Sequence, residues 1–256
     1  MPAVGSNRLM VNPSRPPVRR PASRAGVVPA MRASVSRRGA RVDAGAADSG
    51  RAYGGLSPQD RASARRQRLL DAATTLFGNQ GLRATTVRGV CNAAGLTDRY
   101  FYESFASLEA LLAAVYLRLL ARLRAALAQA AGQVPATAGT AARFTAGYGA
   151  WFDFVRHPGH ARILLAEVLG VSPAVDALYE GGMAEFADAL AAPLADAGAS
   201  PERCALVARA LVGAVVQVAK MWLSSGYQAP RDVVVGSCVL VAVGTVQALR
   251  QAALGR

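Results

Sequence analysis

Apolar residues recur at helical spacing along most of the chain from residue 57 onward. Ser57 and Pro58 form a helix start, and Asp60 stands where it completes a capping box. The predicted first helix ends near Gly81, because glycine favours the residue after a helix. Its apolar face consists of Leu69, Ala73, Leu76 and Phe77.

Two short helices and a long one are predicted next. Thr86 caps the first short helix, Gly95 forms a turn, Thr97 caps the second, and Ser107 begins the long helix. Two short helices joined by a glycine-containing turn are typical of a helix-turn-helix, which we place at residues 86–105. The residues expected to form its small core are Val87, Val90, Ala94, Leu96, Phe101 and Phe105.

The rest of the chain also has helical periodicity and no strand alternation, so the predicted fold is all-α. A loop at 132–139 precedes five helices, predicted at about 140–156, 159–169, 173–197, 201–225 and 231–254. The last two are apolar almost all round, as expected of a membrane span or of a subunit interface. Arg209 and Lys220 fall within or beside apolar runs slightly shorter than the ~20 residues of a span. We therefore favour the interface.

The charge lies mostly at the N-terminus. The formal net charge is +13, and residues 1–56 carry ten arginines against Asp43 and Asp48, with many prolines and no apolar periodicity. This composition predicts disorder. The segment is either a basic arm that adds DNA affinity, or the product of an upstream start codon, with Met10 or Met31 as the true start.

The sequence offers little for catalysis or metal binding. It has no glycine-rich phosphate loop, nucleophile elbow or paired-carboxylate motif, so we expect no enzyme and no cofactor. The only two histidines, His157 and His160, lie three positions apart. No cysteine or carboxylate cluster adjoins them in sequence, so no metal site is expected. Cys91, Cys204 and Cys238 are far apart and are expected to be buried thiols in a reducing cytoplasm.

The residues around the predicted turn resemble the DNA-binding domain of the TetR family. The resemblance covers residues 63–123 and includes helix one from Leu69 to Gly81. The segments that carry it most clearly are Thr85-Thr86-Val87-Arg88, Ala93-Ala94-Gly95-Leu96-Thr97, Tyr102, Phe105 and Leu111-Leu112. It departs from the family pattern at Gly89, where an acidic residue would complete a capping box, and at Leu108, which replaces a basic phosphate contact.

The resemblance implies roles by position. Thr86, Thr97 and Tyr102 would bind phosphates, and Arg88 would reach a base edge or a phosphate. The base-reading positions would be Asp98, Arg99 and Tyr100, with Ser104 also at the interface. Tyr102 and Phe105 could alternatively be core aromatics.

The resemblance also implies a repressor in the bacterial cytoplasm, associated with the nucleoid, that binds a palindromic double-stranded operator as a homodimer. Residues 124–256 would form a helical ligand-binding and dimerisation domain that releases the repressor when a small molecule binds. The side chains that could line its apolar pocket are Tyr148, Trp151, Phe152, Phe154, Tyr179, Met183 and Trp222. A filled core, a membrane-associated protein and an adaptor that does not bind DNA remain the alternatives.

Overall fold

A computed structural model describes residues 57–254, and within them every regular element is a helix. Its elements are α1 Pro58–Gln80, α2 Val87–Ala94, α3 Asp98–Ser104, α4 Leu108–Gly132, α5 Thr140–Val155, α6 Pro158–Arg162, a π-helical turn Ile163–Glu167, α7 Pro173–Ala195, α8 Pro201–Ser224 and α9 Arg231–Leu254. The all-α prediction is confirmed. The predictions for residues 1–56 lie outside the described residues.

The start signals read from the sequence determine where the helices begin. In the capping box of α1, the Asp60 amide donates to Ser57 Oγ at 3.0 Å, and the Ser57 amide donates to Asp60 Oδ2 at 3.2 Å. Ser172 and Ser200 cap α7 and α8, and a proline follows each of them at the first helical position. Such a proline loses no helical hydrogen bond there, because the first amides of a helix have no partner in the helix.

The helix predicted at about 159–169 is divided in the structure. Its first half is α6, which begins at Pro158 with His157 as the N-cap residue, whose Nδ1 accepts from the His160 amide at 3.4 Å. The second half is a π-helical turn, Ile163–Glu167. A π turn contains one extra residue, which packing stabilises and which a 3.6-residue periodicity does not reveal.

The first three helices close a small core of their own, as predicted. Among the six residues named for it, Val90, Ala94, Phe101 and Phe105 are buried, and the other two are half-buried. Helix α1 covers this core with Leu69, Ala73 and Phe77, each fully buried. The three cysteines are free thiols and buried, as expected from their spacing.

Helices α1 and α6 cross with their backbones in contact. A Cβ added at Gly78 would lie 2.6 Å from the Cα of Gly159, a distance that side chains do not tolerate. Glycine at position 78 is therefore required by the close approach of a backbone. This crossing attaches the first three helices to the helices that follow α4.

Replacing Gly78 by alanine is expected to lower the free energy of unfolding by about 1–3 kcal/mol, because the backbone of α6 must move away. Chemical denaturation measures this directly. The control is Gly181→Ala in α7, where a Cβ meets nothing within 4 Å. That change should raise stability by up to about 1 kcal/mol through helix propensity. Equal effects of both substitutions would contradict the tight crossing.

The second half of the fold is a bundle built around α4. Helix α4 packs against α5 and α7, α7 packs along α8, and α5 packs along α9. Their apolar faces do not fill the space between α4, α5, α7 and α8 completely. A cavity of about 290 Å³ lies there.

Candidate functional site

The turn between α2 and α3 has helix-turn-helix geometry. Gly95 adopts a left-handed conformation, with φ of +62°, and its amide donates to the Asn92 carbonyl at 3.1 Å. The Leu96 amide donates to the Cys91 carbonyl at 2.9 Å. A residue with a Cβ would be strained at this φ, which explains glycine at the C-cap of α2.

The two threonines at the helix starts differ. Thr86 Oγ1 accepts from the Gly89 amide at 3.0 Å, so Thr86 caps α2 as predicted. Thr97 occupies the N-cap position of α3, but its side chain makes no capping hydrogen bond, which corrects that part of the prediction. Because no backbone amide uses the Thr97 hydroxyl, capping does not restrict the orientation of that group.

The outer surface of α2 and α3 is open to solvent. Arg88, Asp98, Arg99 and Tyr102 are exposed, and Tyr102 retains 62% of its accessible surface. Tyr102 is therefore not a core aromatic, whereas Phe105, at 5%, is one. The candidate DNA-contacting side chains thus lie on the accessible side of the motif.

Two other candidate residues are held by arginines of α1. The Arg65 guanidinium lies 4.4 Å from the ring centre of Tyr100, which is half-buried. Arg66 donates to the Ser104 carbonyl at 3.1 Å and stacks over the ring of Phe105 at 4.1 Å. These arginines bind α1 to α3, a role that the sequence did not indicate.

Similarity to known proteins identifies the helix-turn-helix segment. A family model described as "Bacterial regulatory proteins, tetR family" matches residues 69–115, from the middle of α1 into α4. The transcriptional activator FasR of Mycolicibacterium smegmatis is 28% identical over 213 residues, covering 82% of this chain and 93% of that protein. The segment that contains the helix-turn-helix therefore belongs to the TetR family of bacterial regulatory proteins. The chain is a DNA-binding regulator and not an enzyme.

Other transcriptional regulators are similar locally or in fold. The transcriptional repressor KstR2 of Rhodococcus jostii is 51% identical over 49 residues, 19% of this chain and 24% of that protein. A TetR-family regulator from Streptomyces coelicolor superposes with a TM-score of 0.61 at 23% identity, covering 78% of this chain and 90% of the other. FadR of Bacillus subtilis, solved in complex with stearoyl-CoA, superposes with a TM-score of 0.57 at 13% identity, covering 68% and 96%.

The bundle cavity is long and apolar. Its wall on α4 is formed by Tyr116, Leu120, Leu123, Leu127 and Ala131. Since an α-helix rises 1.5 Å per residue, this row spans about 22 Å. Arg143 is the only charged side chain among the described residues of the lining, which also includes Leu164 and Leu165 of the π-helical turn.

Four of the seven predicted pocket residues line this cavity: Tyr148, Trp151, Tyr179 and Met183. Phe152, Phe154 and Trp222 do not. Phe152 is fully buried and packs edge-to-face on Trp222, with ring centres 5.7 Å apart, and Phe154 stacks on His160 at 4.9 Å. The sequence grouped all seven as large apolar side chains, but neighbouring residues of α5 face different partners.

Two hydrogen-bond donors of the lining residues have no protein partner. The Tyr148 hydroxyl and the Trp151 indole N–H are both buried and unpaired. Burial raises the pKa of Tyr148 to about 12, so its hydroxyl stays protonated. Unpaired buried donors cost free energy, and a bound molecule with an acceptor group would remove that cost.

The sequence did not indicate that glycines line the cavity. A Cβ at Gly147 of α5 would meet nothing within 4 Å, whereas a Cβ at Gly182 of α7 would lie 3.0 Å from the Tyr116 hydroxyl. Gly147 lies on the same face of α5 as Arg143 and Trp151, four residues away on either side. A larger side chain at position 147 therefore points into the cavity.

The two histidines stack on each other, with ring centres 4.2 Å apart. Burial, with smaller contributions from His157 and Arg122, lowers the pKa of His160 to about 4, so His160 is neutral at physiological pH. Within residues 57–254, no group of three or more histidine, cysteine or carboxylate side chains is placed to hold a metal ion.

Proposed function

We propose that this TetR-family regulator is a dimeric repressor that binds a palindromic operator and is released when a largely apolar molecule enters the bundle cavity. The observation that carries the proposal is the pairing of an exposed helix-turn-helix with this cavity in one structure. The local similarity to KstR2 repressors supports repression. FasR, an activator, makes activation the competing outcome.

On the DNA side, Asp98, Arg99 and Tyr100 are proposed to read base edges. Thr86, Arg88, Thr97, Tyr102 and Ser104 are proposed to lie against the phosphate backbone, where contacts set position and affinity. Arg99 is best placed for a bidentate contact to a guanine, because its side chain is exposed and its Nε lies 3.0 Å from Glu103 Oε1, which orients the guanidinium. In this proposal the regulator acts on chromosomal DNA and is associated with the nucleoid.

The DNA proposal is tested by selecting duplexes from a random pool with the full chain. The expected product is a palindrome whose half-sites lie one helical turn, or a multiple, apart. Arg99→Ala should then weaken operator binding by about 1–3 kcal/mol and relax the preference at one base pair. Arg156→Ala, an exposed position at the end of α5 and outside both proposed interfaces, is the matched control and should bind as wild type does. A pool without enrichment would contradict sequence-specific binding.

Dimerisation is proposed from the exposed faces of α8 and α9. Their large exposed apolar residues are Leu206, Met221, Val233, Leu240, Val241 and Leu254. By length and composition both helices could also span a membrane. A second copy is the better occupant, because the opposite faces of these helices already pack into the bundle, and a two-fold pairing would bury the exposed ones.

The effector is proposed to be a long, mainly apolar molecule with a polar end near Arg143. The length of the α4 row, the lining and the two unpaired donors support this class of ligand. A fold neighbour holds stearoyl-CoA, so we choose stearoyl-CoA as the probe. Titration should show saturable binding to the full chain and a weaker operator complex. Binding without a change at the operator would refute the effector role.

A further inference from the structure

The end of α1 is clamped by two charged side chains from the segment that borders the cavity. Arg162 Nη1 donates to the Asn79 carbonyl at 2.9 Å, and Arg162 Nε donates to Glu167 Oε1 at 2.9 Å. Glu167 Oε2 accepts from the Leu82 amide at 2.7 Å. The pair therefore holds the chain on both sides of Gly81, five residues before the helix-turn-helix begins at Thr86.

Gly81 makes room for this clamp. Its φ is +84°, and a Cβ there would lie 2.8 Å from Glu167 Oε1 and 2.9 Å from Oε2. The glycine that ends α1 thus also allows the carboxylate to approach the backbone. The Glu167 side chain is only 16% exposed, so its carboxylate is largely shielded from solvent, whereas the Arg162 side chain is 40% exposed.

The same π-helical turn also forms part of the cavity wall. Leu164 and Leu165 line the cavity, and Glu167, two residues after Leu165, accepts a hydrogen bond from the Leu82 amide. A molecule that displaces either leucine must move the π-helical turn. The Glu167 carboxylate of that turn is hydrogen-bonded to Leu82 in the DNA-binding domain. A π turn contains an extra residue, and such turns occur frequently at functional sites.

We propose that Glu167, clamped with Arg162, is the positioning residue through which occupancy of the cavity reaches the helix-turn-helix. The inference rests on the proposed function, because it presupposes that the cavity controls DNA binding. It places the coupling at the contact between the π turn and the end of α1. The contact of α4 with α1, where Arg118 binds Asp71 and the Leu70 carbonyl, is the competing route.

The test measures operator affinity with and without saturating stearoyl-CoA. In the wild type the ratio of the two dissociation constants is expected to be about tenfold or more. In Glu167→Ala it should fall to within about twofold of unity, while affinity for stearoyl-CoA stays within about twofold of wild type. Glu167→Gln keeps an acceptor for the Leu82 amide and should recover part of the ratio. Asp188→Asn, exposed on α7 and outside the cavity lining and the proposed dimer interface, is the control.

The outcomes separate the two proposals. If Glu167→Ala keeps the wild-type ratio of operator dissociation constants, the role of Glu167 is overturned and the proposed function stands. If Arg118→Ala loses that ratio instead, the coupling runs through α4. A ligand-free measurement completes the test, because coupling between two sites is reciprocal. In a Trp222→Phe background, Trp151 in the cavity lining is the only tryptophan, so the fluorescence reports on the cavity. Adding operator DNA should change the Trp151 emission in this background. The change should be absent when Glu167→Ala is added. If neither operator nor stearoyl-CoA has any effect at the other site, both proposals fall.

Discussion

Gly147→Leu is expected to abolish control by the cavity without harming the fold. A leucine at position 147 enters open space between Arg143 and Trp151 and occupies the passage that a long ligand would follow. We expect affinity for stearoyl-CoA to fall by roughly 100-fold, which corresponds to about 2.7 kcal/mol. Operator binding should then no longer respond to stearoyl-CoA. Titration calorimetry and operator binding measure the two quantities.

The fold should tolerate this change, because a glycine inside a helix costs about 0.5–1 kcal/mol relative to alanine. Gly181→Leu is the matched control. It is also a helix-interior glycine with open space at its Cβ, but it is exposed and outside the cavity lining. The control should bind stearoyl-CoA as wild type does. Unimpaired binding by Gly147→Leu would show that the ligand does not use this cavity.

Leu240→Glu is expected to dissociate the dimer. Leu240 lies on α9 with 74% of its surface exposed, on the same stripe as Val233 and Val241. A two-fold axis would place two introduced carboxylates in one apolar interface, where an unpaired buried charge is strongly destabilising. We expect the dimer dissociation constant to rise by 100-fold or more, about 2.7 kcal/mol. Operator affinity should fall with it, because one half-site contact is lost.

Sedimentation in detergent-free buffer measures the association, with Leu169→Glu as the control. Leu169 is also exposed, at 42%, but follows the π turn and belongs to neither α8 nor α9. Its variant should remain dimeric and bind the operator. A wild-type chain that is monomeric at micromolar concentration would contradict the dimer. Wild-type chain found only with lipid vesicles would favour the membrane alternative.

Much of the helical fold follows from local chemistry, which a single sequence displays. Ser57, Thr86 and Ser107 each accept a hydrogen bond from the first turn of a helix, and Gly95 adopts the left-handed conformation that its turn requires. Such interactions join residues three or four positions apart, so their pattern is visible without tertiary contacts. The family resemblance rests on these same short-range features around the turn.

The cavity and the clamp depend on contacts between residues far apart in sequence. Phe152 and Trp151 are neighbours in α5, yet one packs on Trp222 and the other lines the cavity, because a helix turns by about 100° per residue. Glu167 meets Leu82 across 85 positions. Periodicity indicates that a face is apolar but does not identify its partner.

The sequence by itself determined most of the helices and their starts, the turn at Gly95 and most of the exposed positions of the DNA-binding motif, since each follows from neighbouring residues. Only the tertiary structure decided which aromatics line the cavity, that glycines open it, and that α1 arginines hold α3. It also decided that a π turn connects the cavity wall to the end of α1. The physical reason is that packing between helices depends on geometry, which composition does not contain.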